Sequence, residues 1–126
     1  MKRILTIILL SFPLALLAKE NYKLTNKDIP KKIKNKIGPL SDWICEEQTS
    51  DSAKSYAIFY WVTHNIEGDS KSFNKQSKLV FRKPDEILKR RKAVAEEYAY
   101  LLQAMMQSQH LMCQVIFGYE KNELYE

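Results

Sequence analysis

Residues 89–106 read KRRKAVAEEYAYLLQAMM, four basic residues followed by a largely apolar segment. The apolar residues recur at three- and four-residue steps, which places them on one face of a helix. A helix that is apolar along its middle and basic before its first turn is typical of the centre of a small fold. The residues predicted to form the buried face are Val94, Ala95, Tyr98, Leu102 and Met105.

The first 18 residues have the layout of a secretory signal peptide. A short basic start, Met1-Lys2-Arg3, precedes the mostly apolar run Ile4–Leu17, and Ala18 offers a small residue for cleavage. A retained membrane anchor is the alternative, but the run is short for spanning about 30 Å of hydrocarbon and Pro13 interrupts it. We therefore expect an exported protein, periplasmic or extracellular, with no stable membrane anchor after cleavage.

Length and composition indicate one globular domain with a modest core. The chain has 126 residues, 45% of them hydrophobic and 28% charged. The formal net charge is +5, and removing residues 1–18, which hold two basic and no acidic residues, leaves +3. The lysines are scattered and no aromatic residues alternate with them, so no nucleic-acid partner is predicted.

Residues 19–48 form a basic leader in which short helices are expected. Its lysines, broken up by Pro30 and Pro39, suggest a solvated face, while Ile29, Ile33 and Ile37 share the four-residue spacing of a helix face. A second short helix is predicted over Ser41–Gln48, with Trp43 and Ile44 turned inward.

The next segment carries clear helix signals. Thr49-Ser50-Asp51 provides side-chain oxygens suited to capping a helix start, and Gly68-Asp69 follows its end. We predict a helix over residues 52–65. The residues expected to be buried are Ala57, Ile58, Trp61 and Val62.

The run Lys92–Ala99, KAVAEEYA, resembles the nucleophile helix of the transglutaminase-like superfamily. Members of that family carry a basic residue followed by glycine, valine, cysteine, glutamate, glycine, tyrosine and alanine. Here Ala95 stands at the cysteine position, and Ala93 and Glu97 stand at the two glycine positions.

A second segment, KSYAIFYWVTHNIEGD over residues 54–69, is similar to the family's preceding helix. Gly68 replaces an aromatic residue that is usual there. A short helix from Pro84 to Lys89 and the pair Gly118-Tyr119 at the end of a strand also fit the family's order of elements. The matching positions in the second segment are Ala57, Ile58, Tyr60, Trp61, Val62, Asn65, Ile66 and Asp69.

The resemblance implies an α+β fold, with N-terminal helices and a central core helix packed on the start of an antiparallel sheet. Residues 49–126 would form a partial transglutaminase-like domain, and residues 113–119, CQVIFGY, alternate as a strand does. Because one strand cannot make a sheet, we expect it to pair with another chain, either a second copy or an unknown protein or peptide partner.

The chemistry of the family requires a cysteine at a helix start, a histidine and an aspartate. The methyl group of Ala95 cannot attack a carbonyl, and the strands for the histidine and aspartate would lie beyond Glu126. Losing a triad nucleophile costs on the order of 10⁶ in rate. We therefore expect no catalytic residue and no enzyme activity, and the chain would be either a truncated remnant or a small binding module. Glu97 would disturb the motif further by adding a charge.

Alternatives remain for the thiols. Cys113 with His110 is the one local cysteine–histidine pair and is a weak candidate for a thiol enzyme, and a partner chain could instead complete the site. Export would allow a disulfide between Cys45 and Cys113, which the sequence leaves open. The two cysteines and two histidines lack ligand-like spacing, so no metal site and no cofactor are expected. His64 is expected to face solvent.

Overall fold

A computed structural model describes residues 29–73, except the side chain of residue 73, and residues 81–118. The predicted signal peptide, residues 19–28 of the basic leader and Tyr119 lie outside these ranges. In chain order the elements are α1 (Ile37–Cys45), α2 (Asp51–Asn65), β1 (Glu67–Gly68), α3 (Ser70–Phe73), α4 (Pro84–Arg90), β2 (Lys92–Ala93) and α5 (Ala95–Ser108).

Local sequence signals explain where α2 begins. Ser50 has an extended backbone and its Oγ accepts a hydrogen bond from the Ala53 N–H at 3.2 Å, while Asp51 adds a negative charge to the first turn. The predicted helix over residues 52–65 is confirmed, with the start one residue earlier. The predicted buried face is confirmed as well, at Ala57, Ile58, Trp61 and Val62.

Helix α4 ends in a sharp turn that feeds β2. Pro84 occupies the first turn of the helix and is followed there by two acidic residues. Arg91 follows the end of the helix with φ 57°, in the left-handed region. The Arg91 N–H donates to the Ile87 carbonyl at 2.8 Å, and its guanidinium stacks 4.9 Å from the centre of the Trp61 ring. This turn therefore fixes the direction in which β2 enters the fold.

The sheet is a parallel pair, which corrects the predicted antiparallel sheet. Glu67 is in register with Lys92 and Gly68 with Ala93, and the Asp69 N–H donates to the Ala93 carbonyl at 2.9 Å. The connection from β1 to β2 contains α3 and α4. A helical crossover of this kind returns the second strand in the same direction, which a hairpin cannot do.

The predicted strand over residues 113–119 is also wrong for its described part. Residues 111–118 contain no strand. Instead the Cys113 Sγ is directed at the Gln103 carbonyl at 3.6 Å and the Gln107 Nε2 donates to the Cys113 carbonyl at 3.2 Å. The segment thus runs along α5. High β-propensity gives a strand only where a neighbouring strand offers hydrogen bonds, and no described strand lies beside it.

The predicted buried face of helix α5 is confirmed in part, because Val94, just before the helix, and Met105 are buried. Glu97, Leu101 and Met105, at steps of four, are buried, whereas Ala95 is exposed. Tyr98 and Leu102 are half-buried and pack against the core from its edge. Because α5 lies against both α1 and α2, the buried stripe centres on Leu101.

The first described residues and helix α1 belong to the same core. Helix α1 spans Ile37–Cys45 and so begins before the predicted range 41–48. Ile44 is buried as predicted, Trp43 is half-buried, and Ile29 is buried. Within residues 29–73 and 81–118, no helix combines the length and apolar character that crossing a bilayer requires.

Replacing Leu101 by alanine tests which face of α5 forms the core. Leu101 is fully buried, so Leu101→Ala should lower the free energy of unfolding by about 2–5 kcal/mol. Leu102→Ala, the matched control one residue away, should cost about half as much because that side chain is only half-buried. Urea unfolding of both variants makes the comparison, and an equal or larger loss for Leu102→Ala would contradict the packing described here.

Candidate ligand cleft at the start of helix α5

Ala95 is the first residue of α5 and its side chain is exposed. The preceding residue, Val94, has an extended backbone, with φ −86° and ψ 171°, and is buried. The chain therefore leaves β2, buries one side chain and turns Ala95 outward. The position that the family resemblance assigns to the nucleophile is accessible at a helix start.

An open cleft of about 480 Å³ lies beside Ala95. Its walls come from the end of β1, the end of β2 and the first turn of α5, and they are mainly apolar. The hydroxyl of Tyr98 donates a hydrogen bond to the Ile66 carbonyl, which fixes the ring that forms one wall. Burial raises the pKa of Tyr98, and the nearby Glu67 carboxylate adds to the effect. The lining residues are Gly68, Asp69, Ser70, Ala93, Val94, Ala95 and Tyr98.

A buried ion pair lies behind the cleft. The Glu97 carboxylate, in a side chain only 3% exposed, accepts hydrogen bonds from Arg82 Nε at 2.7 Å, from Arg82 Nη2 at 2.6 Å and from the Arg82 backbone N–H at 3.0 Å. It also accepts the Val94 N–H at 3.1 Å, closing the first turn of α5. One carboxylate thus caps the helix and anchors the segment that precedes α4.

Asp69 extends this network to the end of β1. Its carboxylate accepts the Ser72 hydroxyl at 2.7 Å and the Ser72 N–H at 3.2 Å, and Arg82 Nη2 donates to it at 3.0 Å. These hydrogen bonds lower the pKa of Asp69 to about 2, and the bond from the Ser72 side chain has the largest effect. Burial alone would raise the pKa of Glu97, but the hydrogen bonds from Arg82 and Val94 outweigh it and lower that pKa.

Glu97 therefore stabilises the motif, contrary to the expectation that its charge would disturb it. Glutamate three residues after a helix cap is a known signal for a bond back to the cap N–H, so half of this role is visible in the sequence. The other half is not, because Arg82 lies fifteen positions away along the chain. No local pattern joins Arg82, Asp69 and Glu97.

The structure places the predicted thiol candidates away from this cleft. Cys113 is half-buried, with its Sγ directed at the Gln103 carbonyl and not at a histidine. His110 is exposed, and a second cavity of about 580 Å³ lies around the two residues. Cys45 is a free buried thiol, and burial raises its pKa to about 11. Both cysteines are unpaired, so the disulfide that the sequence left open is not formed in the structure.

His64 is exposed, as expected, and its Nδ1 lies 2.7 Å from the Tyr60 carbonyl. Among the described residues, no three histidine, cysteine or acidic side chains converge in a way that could hold a metal ion.

Neutralising Glu97 tests the buried network. Glu97→Gln leaves the partly buried Arg82 guanidinium with a single carboxylate partner, so it should cost about 2–4 kcal/mol of unfolding free energy at about pH 7. Glu96→Gln, an exposed glutamate in the same turn, is the matched control and should cost under about 0.5 kcal/mol. Urea unfolding measures both, and similar losses in the two variants would show that the ion pair contributes little.

The same network predicts how stability depends on pH. The folded-state pKa values of Asp69 and Glu97 are depressed, so their stabilisation is present above the unfolded values near pH 4 and is lost as pH falls toward about 2. Glu97→Gln should lose less stability than the parent chain between about pH 5 and about pH 2.5, since one of the two carboxylates no longer titrates.

The sequence of the chain matches a known protein family. The family model described as the transglutaminase-like superfamily matches residues 39–125. The chain is 29% identical over 94 residues to the kyphoscoliosis peptidase of Mus musculus, covering 75% of this chain. It is 28% identical over 93 residues to the human protein of the same name, covering 74% of this chain.

Each match spans 14% of the length of the curated relative. No solved structure matches the chain. The family match nevertheless includes α2, both strands, the cleft and α5. The chain belongs to the transglutaminase-like superfamily.

Proposed function

We propose that this chain is an exported, non-catalytic transglutaminase-like module that binds a peptide segment in the cleft beside Ala95. The observation that carries the proposal is the exposed methyl group of Ala95 at the first position of α5. The family resemblance assigns the attacking sulfur to that position. A methyl group has no lone pair and no acidic proton, so it can neither attack a carbonyl nor form an acyl intermediate.

The thiols present do not replace the missing sulfur. Cys45 is buried and holds its proton, with a pKa of about 11, so little thiolate exists near neutral pH. Cys113 contacts Gln103, which lies eight residues along α5 from Ala95, or about 12 Å of helix. A thiol enzyme acting through Cys113 would need a site of its own at the other end of α5.

A peptide is the ligand class that fits the cleft best. The curated relatives carry the name peptidase. The cleft beside Ala95 is open and mainly apolar, and the carboxylate of Asp69 at its edge is already engaged by Ser72 and Arg82. An apolar side chain of a bound peptide could therefore enter without stripping water from an unpaired charge.

A second surface of the protein, formed by exposed apolar residues, favours binding to a partner chain. Met112, Ile116 and Phe117 are 103%, 88% and 71% exposed, and they lie in a segment that forms neither helix nor strand. Exposed apolar residues of this size on one segment mark a protein contact, and a neighbouring strand would supply the missing hydrogen bonds. The predicted association of residues 113–119 with another chain is therefore part of the proposal, although the structure has no strand in the described part of this segment.

Export rests on the N-terminal 18 residues. Their basic start, apolar middle and small residue at the end follow the order that the secretion machinery recognises. The proposed location, periplasmic or extracellular, would bring the cleft into contact with exported proteins and peptides.

Filling the cleft tests the proposed binding. Dimethylcasein, an unfolded protein with many apolar segments, serves as the probe, and binding to the immobilised full chain is followed by interferometry. Ala95→Trp places a large side chain in the cleft and should weaken binding at least about tenfold. The matched control is Glu96→Trp, because Glu96 is exposed next to Ala95 but does not line the cleft.

Comparing the variants distinguishes binding in the cleft from binding elsewhere on the surface. Weaker binding of Ala95→Trp alone, with both variants equally stable to urea, supports the proposal. No measurable binding of dimethylcasein to the parent chain, or equal binding by all three proteins, would contradict it.

A further inference from the structure

Another cleft, of about 680 Å³, differs from the apolar cleft beside Ala95, because most of the charge around it is positive. It lies where the turn over residues 30–36 meets the start of α1 and one side of α4. Four lysines and one aspartate contribute to its walls. These charged residues are Lys31, Lys32, Lys36, Lys89 and Asp85.

The described residues neutralise only part of the positive charge around this lysine cleft. The ion pairs among the described residues involve Arg82, Arg90 and Lys92, and none includes a lysine of the cleft. Asp85 stands in the first turn of α4, where its charge favours the helix start. Taken together, the five charged side chains leave an excess of three positive charges around one concavity.

The turn that carries three of these lysines is held in place. Ile29 is buried in the core, and Ile33 and Ile37 pack against it. The Arg91 Nη2 donates to the Lys34 carbonyl at 3.0 Å, and the Lys36 N–H donates to the Ile33 carbonyl at 2.9 Å. The lysines therefore project from a fixed backbone, which lowers the entropy lost when they close on a ligand.

The backbone at the start of α1 adds to the positive electrostatic potential of the lysine cleft. Helix α1 begins at the cleft with no acidic residue in its first turn and no side-chain cap from Lys36. Its first intrahelical hydrogen bond is from the Leu40 N–H to the Lys36 carbonyl at 3.0 Å, so the N–H groups of Ile37 and Gly38 have no partner within the helix. Space is open at Gly38, where no atom lies within 4 Å of the position of a Cβ.

We propose that the lysine cleft binds a compact soluble polyanion of the phosphate class. Several cations around a concavity suit a small ligand with two or more negative charges, whereas a flat membrane surface would be met by a convex or planar basic face. The proposal is independent of the peptide cleft beside Ala95, which lies on other elements.

Inorganic pyrophosphate is the probe for a direct test with the full chain. Titration should give saturable binding by calorimetry, and the amide resonance of Gly38 should shift with the same midpoint. The double variant Lys32→Gln with Lys89→Gln should weaken binding at least about tenfold, since each lysine supplies a charge-assisted contact. The double control Lys71→Gln with Lys92→Gln removes the same charge outside the cleft and should change the affinity less than about threefold.

Three results would overturn the proposal. The first is an absence of saturable pyrophosphate binding. The second is an equal loss of affinity in the two double variants, which would show attraction by net charge alone. The third is binding to phosphatidylglycerol vesicles without any response to pyrophosphate, which would assign the lysines to a lipid surface instead.

Discussion

The buried carboxylate of Glu97 is the constraint on which the cleft depends. A carboxylate removed from water is strongly destabilising unless its oxygens are fully bonded, and here Arg82 and the Val94 N–H satisfy it. The contact joins the first turn of α5 to the segment before α4, and through Asp69 it reaches the end of β1. Three pieces of chain distant in sequence are thereby held in one arrangement.

That arrangement supports the proposed non-catalytic role, because it does not depend on the side chain at position 95. The parallel pair of β1 and β2 ends at the cleft, and the chain turns directly from β2 into α5 so that Ala95 faces outward. None of the bonds that build this turn involves the side chain of Ala95. The residue at that position can therefore change without disturbing the backbone, and a ligand-binding role can persist where bond-making chemistry does not.

Much of the helical structure could be predicted from local signals. The Ser50 cap, Pro84 at the start of α4 and the apolar spacing of α2 each act within a few residues. The exposed position of Ala95 was not predicted, because the apolar spacing of α5 fits two adjacent faces and packing against α1 and α2 selects the one centred on Leu101. The parallel strand pairing and the bond between Arg82 and Glu97 depend on long-range contacts, which no local pattern encodes.

The most direct test of a non-catalytic site is intact-mass spectrometry of the full chain after incubation with an activated glutamine-peptide ester. An acyl-enzyme would add the mass of the peptide acyl group to one cysteine. The account predicts no adduct on the native chain, and Ala95→Cys shows whether the cleft admits the ester when a thiol is present. A stoichiometric adduct on the parent chain that disappears in Cys113→Ser would contradict the account.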